Sequence, residues 1–355
     1  MAKVVIISHW YYPALGAAPF RAGNFIKLFM SRGHQVLLIT GQKEAGFTDD
    51  LPIVKMDLKN EAALTKKILS FKPDLILFTV PPTFGINAIK NLALKGHKVI
   101  LDIRDPLFYT YNSGNIIKKK LLRIVEKTLI EHSKIAVINS VGIKEIYEDD
   151  DVEKIFYYLP NGYDAMLFDG HAEFTRKILY FGAFNVMHSI PNFKKFFALY
   201  EKDIVKREYL FDFYCFPSPE LNEIRKISLE NGWKFLRFFE PITSERFKDK
   251  LKDYSLGLTI VKTIYNYSMP SKFYTYLALG IPTMNISFGR SIISRISRDM
   301  HLGFDVNPEV YSPDFFDNLE NNFKAYSRDV LKSRGIFLWE KLADDFYESE
   351  IKCLL

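Results

Sequence analysis

The 355-residue chain is 48% hydrophobic and 25% charged, an ordinary globular composition that excludes collagen-like, disordered and low-complexity classes. Its formal net charge of +6 suits an anionic partner, whether nucleotide, phospholipid or nucleic acid, without choosing among them. Only two cysteines are present, Cys215 and Cys353, far apart and without metal-ligand spacing, which excludes a disulfide framework and fits a reducing cytosol.

The length exceeds one typical core, so two domains are expected. No apolar run approaches the ~18 residues that a membrane span needs. The first apolar run is broken by Ser8-His9 with no cleavage site after it, so no signal peptide is expected. A soluble or peripheral protein is the expectation.

In chain order, residues 3–8 predict a first strand that ends in a loop. Residues 20–32 have helical apolar spacing, and Gly33 stands where a helix C-terminal glycine belongs. Residues 35–40, 74–80, 98–103, 134–140 and 155–159 predict further strands, with a helix over 83–95. The runs are nearly continuous in apolar residues, as strands covered on both faces should be, and their alternation with helices predicts a parallel sheet. The pattern pauses at Pro160-Asn161-Gly162 and restarts. Strands are predicted at 177–181, 211–216, 233–239, 256–261 and 283–287, and helices at 190–202, 219–231, 244–253 and 270–279. A final helix over 337–351 carries Trp339, Leu342, Phe346 and Ile351 on one face and is expected to pack on an existing domain.

Four segments could carry chemistry. The small-residue loop at 11–19, with Gly16, would let backbone amides approach an anion at a helix start, and reads equally as a plain βα turn. Asp102-Ile103-Arg104-Asp105-Pro106 puts three charges at a strand end, facing a ligand or forming a local ion network. In the segment 269–282, Pro270 opens a helix with Ser271 and Lys272 in its first turn. A lysine there opposes the macrodipole, which points to an anion, and exposed amides with one ammonium would clamp a diphosphate. Residues 116–134 interleave Lys118, Lys119, Lys120, Arg123, Lys127 and Lys134 with apolar residues. They read as a membrane-surface helix or as a solvated face packed on the sheet.

Several segments occur together and in order: Tyr12-Pro13 with Gly16 and Arg21; Val99-Ile100-Leu101-Asp102-Ile103-Arg104-Asp105; Leu159-Pro160-Asn161-Gly162-Tyr163-Asp164 with Phe168; Leu179-Tyr180-Phe181-Gly182; and Pro270-Ser271-Lys272 through Leu277-Ala278-Leu279-Gly280-Ile281-Pro282. Together they resemble the retaining glycosyltransferases of the GT-B fold, in the large family numbered four. The resemblance is closest to the bacterial enzymes that add sugars to surface polysaccharide or lipid-linked oligosaccharide.

The resemblance implies an α/β fold of two Rossmann-like doubly wound domains facing across a cleft. The acceptor-side domain would span 1–165 and the nucleotide-sugar domain 166–355, with the C-terminal helix packing back toward the first. It implies transfer of a hexosyl or N-acetylhexosaminyl unit from a nucleoside-diphosphate sugar to a glycan or lipid-linked acceptor, with no metal and no cofactor beyond the donor. Asp102, Arg104 and Asp105 would be catalytic. Gly16, Gly182, Asn185, His188, Lys262, Tyr267, Ser271, Lys272 and Thr275 would hold the donor. The location implied is cytoplasmic, peripheral on the inner face of the cell membrane.

The chain departs from the family in two places. The family's two glutamates, separated by seven residues and the second of them binding ribose hydroxyls, are replaced by Tyr267 and Thr275. The basic residues usual after the second domain's first strand are missing from the loop at 183–188, where His188 is the one candidate cation or donor. A GT-B sugar-nucleotide 2-epimerase and a non-catalytic nucleotide-sugar-binding subunit are the rival readings. Nucleic-acid binding is not expected, since no zinc pattern, recognition module or dense basic tract is present.

Overall fold

The computed structural model describes residues 1–14, 16–44, 51–110, 115–165, 174–185, 187–242, 250 and 253–355. They form two compact units, Met1–Asn161 with Trp339–Leu355, and Gly162–Leu338.

The first unit is built on seven parallel strands: β1 (Lys3–Ile7), β2 (Gln35–Thr40), β3 (Ile53–Lys55), β4 (Leu75–Val80), β5 (Val99–Ile103), β6 (Ile135–Ile138) and β7 (Phe156–Tyr158). Their order is β3-β2-β1-β4-β5-β6-β7. All six residues of β4 are buried, as its nearly continuous apolar run requires when helices cover both faces. The order reverses between β1 and β4, which opens a crevice at their carboxyl ends. Helix Ala17–Met30 packs Phe25 and Phe29 into a core that also takes Trp339, Ala343, Phe346 and Ile351. Each such buried large apolar side chain contributes roughly 1.5–3 kcal/mol. That burial holds the C-terminal helix Trp339–Phe346 to this unit; a short π-turn, Tyr347–Ile351, follows it.

The second unit repeats the plan with β8 (Lys177–Gly182), β9 (Leu210–Cys215), β10 (Leu236–Phe239), β11 (Leu256–Ile260), β12 (Thr283–Ile286) and β13 (Gly303–Val306). The order is β10-β9-β8-β11-β12-β13, parallel throughout, with its reversal between β8 and β11. Its core is aromatic: Phe193, Phe196, Phe197 and Tyr200 of helix Ile190–Lys206 pack on Phe211 and Phe213.

Among the described residues, seven strands and α-helices lie where the sequence pattern named none: β3, β13, and helices Glu61–Phe71, Leu107–Thr110, Val141–Glu148, Ile292–Asp299 and Phe315–Ser333. The strand β3 is a three-residue edge with a half-exposed pattern, too short for periodicity to register. Helix Ile292–Asp299 turns Ser294 and Ser297 inward, where they meet Asn285 and Ser287; a buried serine face has no apolar signature. Most of the helix expected over 244–253 lies outside the described residues, as do Leu15, Phe168 and Val186.

Candidate active site

In the second unit the carboxyl ends of β8 and β11 flank the strand-order reversal. Helix Ser271–Ala278 is fixed above them by Tyr276, whose hydroxyl lies 3.0 Å from Leu179 O on β8 and 3.1 Å from Leu258 O on β11. This close approach needs glycine beneath the ring, because a Cβ on Gly257 would lie 2.2 Å from Tyr276. Gly182 ends β8 at φ 87°, a left-handed backbone that lets the chain turn sharply into the loop at 183–188. Lys262, exposed after β11, donates its amide to Met187 O at 3.3 Å and joins that loop to the β11 end.

Lys272 is the centre of this arrangement. Its Nζ lies 3.0 Å from Tyr180 Oη, 3.4 Å from Ala183 O and 3.3 Å from His188 Nε2, and 4.5 Å from the centre of the Tyr180 ring. Burial pulls its pKa down from 10.5 to about 8; among the described residues no carboxylate opposes this, only a smaller effect of Cys215. The ammonium sits in a cage of neutral acceptors. His188 Nδ1 accepts from Asn185 N at 3.0 Å and lies 3.2 Å from Asn185 O and 3.1 Å from Asn185 Oδ1, so the Asn185 turn fixes the ring beside Lys272. Burial, and then the charge of Lys272, hold His188 well below its ordinary pKa. His188 is therefore a neutral imidazole and not the substitute cation considered from the sequence. Tyr180, fully buried, stays protonated because burial raises its pKa, and its hydroxyl is also 2.8 Å from both Ala183 O and His188 Nε2.

The other expected donor residues divide. Helix Ser271–Ala278 begins with no side-chain cap; the Phe273 amide donates to Pro270 O at 3.0 Å, which leaves those of Ser271 and Lys272 to a ligand or water. Ser271 is exposed there, and Thr275, one turn on, donates weakly to Ser271 O at 3.5 Å. Asn185 is spent on the turn, its Oδ1 accepting from Met187 N at 3.1 Å. Tyr267 is 5% exposed with its ring beside Tyr265, so it packs as core.

In the first unit, Gly16 precedes helix Ala17–Met30 at φ 115° with no side-chain cap bond. The three residues expected to be catalytic lie at the end of β5 in unlike settings. Asp102 is fully buried and paired with Arg21 at 2.7 Å; Arg21 Nε donates to its Oδ1 at 2.8 Å, and Nη1 to Leu159 O at 2.9 Å. This places Asp102 inside the fold as the counter-ion of Arg21. Arg104 donates its amide to Val80 O at 2.9 Å and its guanidinium to Pro81 O, tying the β4 and β5 ends together. Asp105 is half-buried, one residue before Pro106. Sequence reasoning gave no role to Tyr180, Arg21 or Glu126. Tyr180 did carry a signal, a hydroxyl in a strand covered on both faces, which has to find a partner.

Among the described residues no group of three or more His, Cys, Asp or Glu could hold a metal ion, and no helix is long and apolar enough to cross a membrane. No protein-family model matches the chain, and the curated proteins contain no match. Solved structures do match. A sucrose-phosphate synthase from Thermosynechococcus elongatus aligns with a TM-score of 0.74 over 98% of each chain at 13% identity. The catalytic domain of starch synthase IV from Arabidopsis thaliana, bound to ADP and acarbose, aligns at 0.63 over 99% of each chain and 12% identity. A UDP-GlcNAc 2-epimerase from Methanocaldococcus jannaschii aligns at 0.54 and 10% identity, over 95% of this chain and 93% of that one. At such identities the likeness is one of fold: the chain has the two Rossmann-like, parallel-sheet domains of the GT-B enzymes.

Proposed function

We propose that the protein transfers a hexosyl or N-acetylhexosaminyl unit from a nucleoside-diphosphate sugar to a hydroxyl of an envelope polysaccharide or lipid-linked oligosaccharide, with retention at the anomeric carbon. The observation that carries this is Lys272: a partly buried lysine that meets no carboxylate among the described residues, in the first turn of an uncapped helix, at the strand-order reversal of a Rossmann sheet. Desolvating a cation is costly unless something anionic compensates it. A leaving diphosphate would do so, taking hydrogen bonds from Lys272 and from amides near Ser271 and Gly182. Asp105 would handle the sugar or the acceptor. The fold relatives named for UDP-GlcNAc or bound to ADP make uridine and adenosine diphosphate sugars the first donors to try.

A thermal-shift screen of nucleotides and nucleotide sugars tests donor binding, since a ligand specific to the folded state raises the apparent stability. The stabilising donor is then incubated with and without a lipid-linked acceptor. Product only with acceptor supports transfer. An altered sugar without acceptor indicates a 2-epimerase, and tight binding without turnover indicates a binding subunit. Asp105→Asn should lower transfer while leaving nucleotide affinity within twofold.

The acceptor class is tied to a second surface. Helix Ile116–His132 exposes Ile117, Leu121 and Ile124 at 72%, 57% and 61%, one row at helical spacing, beside exposed Lys118, Lys119 and Lys120. Arg123 and Lys127 are engaged with Asp150 and Asp151 O. An apolar row flanked by lysines suits an anionic bilayer, each lysine contributing about 1 kcal/mol. Replacing the three lysines with Gln should release the protein from anionic liposomes in a sedimentation assay. Unchanged sedimentation would count against docking there.

A further inference from the structure

Glu126 is 1% exposed, on the inner side of helix Ile116–His132. Its oxygens collect three donors: Leu107 N at 2.9 Å and Tyr147 Oη at 2.7 Å on Oε1, and Phe108 N at 3.1 Å on Oε2. Leu107 and Phe108 open the short helix Leu107–Thr110, which starts two residues after Asp105. The intervening residue, Pro106, has no N–H to give. The first amides after the charged turn are therefore those of Leu107 and Phe108, and both end on Glu126. At its other end the turn is pinned to the β4 end by the amide and guanidinium of Arg104.

We propose that Glu126 is a positioning residue: through the Leu107 and Phe108 amides it sets the backbone of the Arg104–Asp105 turn, and with it the placement of the Asp105 carboxylate. The consequence for turnover rests on the role given to Asp105 above; the latch itself does not.

All three partners donate, so the ionised carboxylate satisfies them together. Burial opposes this by penalising the charge and lifts the pKa of Glu126 to about 7, against the pull of Leu107, Tyr147 and Phe108. Among the described residues no neighbouring charge contributes to that shift. Tyr147, on helix Val141–Glu148, is the titratable group in contact. The turn brings Arg104, aimed at Pro81 O, and Asp105; β5 brings Asp102, paired with Arg21; helix Ile86–Leu94 brings Lys90. On the residue's own helix, Arg123 lies over the Phe108 ring and pairs with Asp150, and Lys127 donates to Asp151 O. Protonation near neutrality adds a donor among donors and loosens the turn.

Two measurements on the full chain test this. Hydrogen exchange at the Leu107 and Phe108 amides, corrected for intrinsic pH dependence, should lose protection as pH falls through about 7 in the wild type, and at every pH in Glu126→Gln. In transfer assays the wild-type kcat should show an acid limb at the same midpoint. Glu126→Gln should lack that limb and lose roughly 10- to 100-fold in kcat at pH 8, the scale of a misplaced reacting group, with donor KM within about twofold. Tyr147→Phe keeps the carboxylate but removes one donor, and should move both midpoints to higher pH. This variant carries the test if Glu126→Gln does not fold. Unchanged protection in Glu126→Gln, or unmoved midpoints in Tyr147→Phe, overturns the latch; lost protection with unchanged kcat overturns the positioning role. If the wild type transfers no sugar, the transferase reading fails, and exchange still decides the latch.

Discussion

Arg21 in the first unit, fully buried, and Lys272 in the second, partly buried, are both cations near the strand-order reversal of a parallel sheet, yet they are met differently. Arg21 is answered by Asp102 at 2.7 Å and by the Leu159 carbonyl. Lys272 meets a phenol, a carbonyl and a neutral imidazole. A buried ion pair neutralises its own charges, and its Coulombic gain is spent on offsetting desolvation. A partly buried ammonium among neutral acceptors is left with an unfavourable charge, which lowers its pKa and leaves it something to gain from an anion. One strand order thus supports a structural cation in one unit and a binding cation in the other.

Removing the two cations should separate those roles. Arg21→Ala leaves Asp102 buried and unpaired, and should cost roughly 3–5 kcal/mol of unfolding free energy. Chemical denaturation measures this, and a loss under about 1 kcal/mol would mean that the pair is not structural. Lys272→Ala should cost little stability but weaken donor binding and turnover, together worth roughly 2–4 kcal/mol. Wild-type kinetics in Lys272→Ala would remove the lysine from the site and erase the contrast between the units.

The sheets were readable because strands buried on both faces are nearly continuous in apolar residues, as β4 is, and buried along their whole length, as β4 and β11 are. The elements that escaped notice lack that signature: β3 is a short edge, and helix Ile292–Asp299 packs through serines. Of the candidate site, Lys272 stood out as a cation in a helix's first turn, but its cage did not, because Tyr180 and His188 meet it only through the fold. Glu126 reads in sequence as one more charge on a basic amphipathic helix. Its inward direction follows from a helical phase that the exposed Ile117, Leu121 and Ile124 disguise as a second apolar face. Asp102 misled in the opposite sense, since a charged residue at a strand end points to a ligand unless a distant arginine claims it, and Arg21 lies 81 positions away.

Thr275 sharpens the contrast from the ligand's side. It occupies the position where the resembling family places a ribose-binding glutamate, and its hydroxyl makes only a 3.5 Å bond to Ser271 O. A threonine offers the ribose one neutral hydrogen bond, whereas a carboxylate accepts two charge-assisted ones. Thr275→Glu should then tighten binding of a ribonucleoside diphosphate by roughly 1–3 kcal/mol, and of the deoxyribonucleotide by less. Calorimetry on both proteins reads the difference. Weaker binding of both nucleotides would place the ribose elsewhere.

The smallest effect is the most specific to Lys272. Its folded pKa, about 8, lies below the ordinary 10.5, so the folded state holds fewer protons than the unfolded state between those values. Stability attributable to this group should rise with pH across that window. Nucleotide binding should respond in the opposite sense. A diphosphate favours the ammonium and lifts its pKa, so the apparent dissociation constant should grow once pH passes about 8. Between pH 7 and 9 the weakening should be about tenfold, roughly 1.4 kcal/mol. Phosphate ionisation does not confound this range, because the second phosphate pKa is about 6. Binding at pH 8.5 should also take up protons, which calorimetry in two buffers of different ionisation enthalpy measures directly. Lys272→Arg stays charged throughout and should flatten the profile, whatever affinity it retains. A wild-type affinity that does not change from pH 7 to 9, with no proton uptake, would mean that the ammonium does not meet the diphosphate, and its cage would then be a structural arrangement of the same kind as the Arg21 pair.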